Sequence, residues 1–212
     1  MRRWTSLWRR FLPLLNLLKV IYIDDDINRI SPEELEKELN LLPPLRREKA
    51  ISFKHFSGRV NCCKSFLLLL KAIRAEFGIE TTEDFDIAEN GKPYFSRHPF
   101  VHFNISHCKT VIACAVGDRP IGIDVENIQM RNDSLLKYAF NEKEIQQIHR
   151  AIFPELEFTK LWTMKESLFK LYGSGITHEI KDILKTCDSK YQFNTIVNFE
   201  KNYVITECRE FK

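Results

Sequence analysis

The chain contains no C-x-x-C pair, so its six cysteines (Cys62, Cys63, Cys108, Cys114, Cys187 and Cys208) supply no zinc-finger or zinc-ribbon spacing. Cys62 and Cys63 are adjacent, which suits no disulfide framework, and the set reads as free thiols of a reducing, cytoplasmic compartment. A dense Lys/Arg stripe is also missing, which removes the case for a nucleic-acid partner. No sequence repeat and no low-complexity linker divides the chain. What is present is ordinary for a soluble globular protein: 44% hydrophobic and 29% charged residues, sixteen Phe and a formal net charge of +3 over 212 residues. That length fits one large domain or two small ones. Residues 1–19 stand apart, with Arg2, Arg3, Arg9 and Arg10 mixed among Trp4, Trp8 and a short apolar run. Pro13 and Asn16 interrupt that run and no A-x-A follows, so a secretory signal is not indicated. The run is too short to span a bilayer, and the segment is expected to lie outside the fold.

Val20–Ile23 has the β-branched character of a first strand. Ser31-Pro32-Glu33-Glu34 starts a helix, with Ser as N-cap, Pro at the first helical position and acids in the first turn. That helix carries Leu35, Leu39 and Leu42 inward and stops at Pro43-Pro44. A basic helix follows from about Leu45, then a longer one from about Arg59 to Phe77 that closes at Gly78 and is apolar almost all round. Asn90-Gly91-Lys92-Pro93 marks a turn. Strands are predicted at 101–106, at 110–116 and around Asp124, helices at 135–139, 142–152 and 155–171, and strands at 191–199 and 203–207. Each half is helices plus a small sheet, an α+β class.

Asp124 and Glu126 lie in Gly122-Ile123-Asp124-Val125-Glu126, and alternation along a strand puts both carboxylates on one face, with Ile121, Ile123 and Val125 on the other. A carboxylate pair on a strand is often a solvated face; it is also a natural Mg²⁺ site, because Mg²⁺ takes oxygen ligands and binds through one or two carboxylates plus substrate phosphates. Glu166 and Lys170 share a helix arc with Trp162 and Phe169. Read blandly they are an i,i+4 surface pair contributing about 0.3–0.5 kcal/mol. Read functionally, Glu166 is a third acid near the metal, and Lys165 and Lys170 neutralise phosphate oxygens. Ser106 and His107 end a strand and offer adjacent hydrogen-bonding groups. Lys92 follows Gly91, where backbone can approach a ligand closely. Arg46, Arg47, Lys49, Arg59 and Lys64 are either a solvated helix face or a second phosphate site.

In this order, "GKP", "FNISHC", "IGIDVE" and "LWTMKESLFKLYGSGI" resemble the 4′-phosphopantetheinyl transferases of the larger, surfactin-synthetase-activator type, over about residues 20–185. The resemblance implies two similar α+β halves in one chain related by pseudo-twofold symmetry, here 20–118 and 119–212, with the active-site cleft between them. It implies a monomer that moves phosphopantetheine from coenzyme A to a serine of an acyl carrier protein or carrier domain, with Mg²⁺, releasing 3′,5′-ADP. Asp124, Glu126 and Glu166 match the metal-site acids, and Glu166 also matches the residue proposed as base. Lys170 and Lys165 match residues near the pyrophosphate. Lys92, Ser106 and His107 match coenzyme A contacts, and Lys49, Arg46 and Arg47 resemble a basic patch for its 3′-phosphate. Cys108 departs from the Ser that many members carry after the His. Two rival readings are a non-catalytic coenzyme A or carrier-binding module and a metal-dependent phosphohydrolase built on Asp124 and Glu126. The phosphohydrolase leaves the Gly-Lys-Pro and Ser-His motifs unexplained.

Overall fold

The computed structural model describes residues 19–80, 85–130, 133–173, 178–186 and 190–211. The extension up to residue 18 and Cys187 lie outside them. The chain runs β1 (Lys19–Asp24), α1 (Pro32–Leu39), α2 (Pro44–Ser52), α3 (Phe56–Phe77), β2 (Asp86–Ile87) and β3 (Pro93–Tyr94). It continues through β4 (His102–His107), β5 (Ile112–Gly117), β6 (Gly122–Asn127), α4 (Asp133–Ala139), α5 (Glu142–Arg150), α6 (Pro154–Tyr172), β7 (Tyr191–Asn198) and β8 (Tyr203–Glu210). Mixed helix and antiparallel sheet makes this an α+β protein, as its pattern predicts. The described cysteines, Cys62, Cys63, Cys108, Cys114 and Cys208, are all free thiols. No described helix is long and apolar enough to cross a membrane.

Local chemistry sets the helix ends. Ser31 Oγ accepts from Glu34 N at 3.1 Å while Glu34 Oε2 accepts from Ser31 N at 2.8 Å, a reciprocal cap at the start of α1. Gly78, at φ +66, ends α3 in the left-handed conformation that a residue without Cβ adopts at least cost. α3 begins three residues earlier than the sequence suggests, at Phe56. Its buried stripe of Val60, Cys63, Phe66, Leu69, Ala72 and Ile73 packs on a three-stranded sheet ordered β1-β5-β4, against Phe103, Ile112, Cys114 and Val116. Lys71 and Arg74 remain exposed, so α3 presents one face to the core and is not surrounded by it.

The second sheet is ordered β6-β8-β7 and carries α6 across it. β4 and β6 are therefore the edge strands of their sheets, and they lie side by side. An edge strand presents unpaired N–H groups that must be satisfied when buried. Here side chains of β4 do so: Ile123 N donates to Asn104 Oδ1 at 3.1 Å, and Val125 N donates to Ser106 Oγ at 3.3 Å. Ile121, Ile123 and Val125 point into an apolar joint with Val111, Ala113, Ala115 and Ile205. The opposite face of β6, bearing Asp124 and Glu126, is turned toward α6.

α6 comes against β6 where Gly122 has no side chain. A Cβ there would meet the Ser167 carbonyl oxygen and lie 2.6 Å from Leu171 N, both fixed backbone atoms. Gly122→Ala is therefore expected to force helix and strand apart and to destabilise the protein by about 2–3 kcal/mol or more. Denaturant unfolding measures it; a midpoint equal to that of the wild type would contradict this packing.

Candidate active site

Asp124 is buried at 3% exposure on β6, and its two oxygens differ. Oδ1 accepts from Ser106 Oγ at 2.8 Å and from Lys170 Nζ at 2.7 Å, while Oδ2 is buried with no hydrogen-bond partner. Lys170 Nζ also donates to Ser106 Oγ at 2.7 Å, closing a triangle of carboxylate, hydroxyl and ammonium. With Val125 N also donating to it, the Ser106 hydroxyl makes one donated and two accepted bonds, its full capacity. Ser106 thus stands at the site as expected, yet its oxygen already serves Asp124 and β6.

Glu166 is one helical turn before Lys170 on α6, so the two share a face. Its carboxyl is pushed up to about 7, from 4.5, first by burial and then by the Asp124 carboxylate; Glu126 adds to the rise and the Lys170 ammonium opposes it. Three acids from β6 and α6 thus act on one another around one lysine. Glu126 is half-buried, two residues beyond Asp124 on the same strand face. Among the described residues no group of three His, Cys, Asp or Glu side chains forms a ready-made metal cage. The donor set is nevertheless all oxygen, and the unpartnered Asp124 Oδ2 is the kind of buried atom a hard cation satisfies.

A cleft of about 560 Å³ opens beside these groups, lined by Glu166, Lys170, His107, Lys92, Phe169, Phe85 and neighbouring residues. His107 ends β4, and desolvation together with the Lys170 ammonium holds its imidazole below the usual histidine range. Lys92 reaches the cleft wall from the β2–β3 hairpin, where Gly91 turns at φ +81. Burial holds Lys92 below the ordinary lysine range. Its Nζ donates to Leu171 O at 2.8 Å and Ile121 O at 3.3 Å, and Asn90 Nδ2 donates to Tyr172 O at 3.1 Å. The hairpin therefore caps the C-terminal carbonyls of α6, the helix that carries Glu166 and Lys170.

Several sequence-based assignments are corrected by the packing. Lys165 does not join the cleft. Consecutive helical residues point roughly 100° apart, and this one turns toward a second core, built around Phe140, Ile148 and Phe158, at 0% exposure. Its Nζ lies 2.7 Å from Glu144 Oε2 and donates to the carbonyls of Ala139, Ile180 and Lys181 at 2.8, 2.9 and 3.1 Å. Arg46 is likewise buried, its guanidinium 4.1 Å from the Phe85 ring centre and 5.0 Å from that of Phe66. Arg47 pairs with Glu36 at 3.4 Å, whereas Lys49 stays exposed near the end of α2. Trp162 stacks on Phe158 in the second core and forms no cleft wall, a role that Phe169 takes. Asn104 and Asn90 also contribute, and sequence patterns do not single them out. Both stand inside quoted motifs or turns, but nothing in a sequence says that an amide will bond to a strand edge or to a helix end.

Comparison with known proteins decides the family. The chain is 38% identical to the 4′-phosphopantetheinyl transferase psf-1 of Bacillus pumilus over 156 residues, 70% of this chain and 67% of that one. The chain belongs to the 4′-phosphopantetheinyl transferase family. The transferase Sfp of Bacillus subtilis (strain 168) is 31% identical over 160 residues, covering 74% of this chain and 70% of its own. A yeast relative, the L-aminoadipate-semialdehyde dehydrogenase-phosphopantetheinyl transferase of Saccharomyces cerevisiae (strain ATCC 204508 / S288c), is 28% identical over 174 residues, 76% of this chain and 63% of its own. The pattern of the 4′-phosphopantetheinyl transferase superfamily matches residues 120–210, the part of this transferase that supplies β6, α6 and their acids.

Two outcomes follow from the geometry. Lys165→Met leaves the Glu144 carboxylate without its buried cation, so it is expected to cost about 3–5 kcal/mol of stability. A Lys165→Met protein of normal stability with a specific loss of phosphate affinity would restore Lys165 to the cleft. In metal-free protein, folded Glu166 keeps its proton up to about pH 7, while the unfolded chain releases it near 4.5. Between those values the unfolded state binds fewer protons, so the Glu166 contribution to stability is lost as pH rises. Thermal melts in EDTA should show the wild type losing stability across that window and Glu166→Gln losing less.

Proposed function

We propose that this chain transfers the 4′-phosphopantetheine group of coenzyme A to a serine of an acyl carrier protein or carrier domain, releasing 3′,5′-ADP. The observation that carries the reading is the convergence of Asp124, Glu166 and Lys170 at a cleft also lined by His107 and Lys92. In architecture, residues 20–118 and 119–212 act as two halves related by a pseudo-twofold axis, with coenzyme A between them. In each half one long helix packs on a three-stranded antiparallel sheet, which supports that arrangement. The protein works as a cytoplasmic monomer, with neither nucleic acid nor membrane as partner. Its net charge of +3 suits the acidic carrier proteins, where charge complementarity mainly raises encounter rate and specificity.

Asp124 and Glu126, with Glu166, would hold Mg²⁺. When bound, the ion offsets charge on the pyrophosphate oxygens. Burial, and after it the Asp124 and Glu126 carboxylates, raise the Glu166 pKa, and a cation in their midst would offset the repulsion among the acids. The carrier serine oxygen attacks the β-phosphorus of coenzyme A, an O–P bond forms, and the bond to 3′,5′-ADP breaks. Glu166 takes the serine proton as general base. Lys170 donates to oxygens that gain charge as the leaving group departs. His107 and Lys92 line the cleft where the coenzyme A phosphates lie.

The test is an intact-mass assay with coenzyme A, Mg²⁺ and an apo carrier protein, with and without EDTA. One phosphopantetheine should be added to the carrier in a metal-dependent way, and Glu166→Gln should slow transfer by about 10²-fold or more. Coenzyme A binding with no transfer to any of several carriers would replace this reading with a non-catalytic binding module. Phosphate release without a carrier would indicate a hydrolase.

A further inference from the structure

His107 is held by a contact from outside its own strand. Asn61, near the start of α3, places its Nδ2 3.3 Å from His107 Nδ1. Asparagine is a poor choice mid-helix on propensity grounds, because its carboxamide competes for backbone partners. One turn further on, Ser65 lines the cleft with a buried Oγ that has no hydrogen-bond partner, so this side of α3 is turned toward the cleft. A carboxamide NH₂ donates, and a ring nitrogen that accepts from it leaves the single proton of a neutral imidazole on Nε2.

We propose that Asn61 is a positioning residue for coenzyme A: by donating to Nδ1 it fixes the His107 ring and leaves Nε2–H as a donor for an anionic group in the cleft. This rests on the coenzyme A reading of the site. An imidazolium carries a proton on both nitrogens and needs no such help, whereas a neutral ring donates to a phosphate only if its tautomer is set. Desolvation and the nearby Lys170 ammonium lower the His107 pKa and so favour the neutral ring, the case where the tautomer matters. Asn61 itself lies outside the cleft lining and acts through the histidine.

The test combines nitrogen-15 spectra of the histidines in the ligand-free, full-length protein with transfer kinetics. Above the titration of the ring, wild-type His107 should show the Nε2–H tautomer. Asn61→Ala should show a mixture, and Asn61→Asp, whose carboxylate only accepts, should move the proton to Nδ1. Asn61→Ala should raise KM for coenzyme A about three- to tenfold, the effect of one neutral hydrogen bond, with kcat nearly unchanged. The Asn61→Ala/His107→Ala double variant should be no worse than His107→Ala alone. A wild-type Nδ1–H tautomer overturns the proposal even if the variants fail to fold, and so do effects that multiply in the double variant. Absence of any coenzyme A turnover by the wild type overturns the proposal together with the reading beneath it.

Discussion

The close approach of α6 to β6 at Gly122 governs the site. With no side chain between them, the backbone at Ser167 and Leu171 lies directly on the strand. Lys170 then reaches Asp124 and Ser106 at 2.7 Å, and Glu166 comes under the influence of Asp124 and Glu126. Spread the pair by the width of a methyl group and these contacts lengthen together, because all of them are carried by the same two rigid elements. Lys165 fixes α6 from its other side: an ammonium with four acceptors around it ties the helix to α5 and to the carbonyls of Ala139, Ile180 and Lys181. Held on both faces, the helix has one allowed position on the sheet.

The electrostatics of the site follow from that placement. Bringing carboxylates together in a partly buried cleft raises the protonation of one of them, here Glu166, and leaves a second, Asp124, with an unsatisfied oxygen. Lys170 offsets part of the charge but is anchored at one oxygen of Asp124 only. A site in this condition favours an added divalent cation and an anionic substrate over empty solvent. The acid–lysine arrangement costs stability in isolation, and phosphoryl-transfer chemistry draws on that kind of stored mismatch.

Local rules make most of the fold legible from sequence. Ser31-Pro32 with Glu34, Gly78 after α3 and the Asn90-Gly91 turn each state their own conformation, and period-2 alternation puts Asp124 and Glu126 on one face of β6. Glu166 and Lys170 are legible as one helix face. What sequence does not carry is the partner of each charge across space. Lys165 and Lys170 look alike along the chain, yet one is neutralised by Glu144 in a core and the other by Asp124 at a cleft. Arg46 reads as a surface cation until Phe66 and Phe85 are seen packed against it. Asn104 reads as an ordinary strand residue until β6 presents an unpaired N–H. In each case a long-range pairing decided the role.

The cap on the end of α6 has a consequence for how the molecule can be divided. The last carbonyls of that helix are satisfied by Asn90 and Lys92, and the edge of β6 is satisfied by Asn104 and Ser106, all from earlier in the chain. The family pattern over residues 120–210 therefore spans every acid of the site without spanning a self-sufficient folding unit. Expressed alone, that segment would keep the carboxylates but leave a frayed helix end and a raw strand edge open to pairing with other chains. A gene fusion or a cut placed between the two sheets would thus unseat α6 by removing side chains that belong to the other half of the chain.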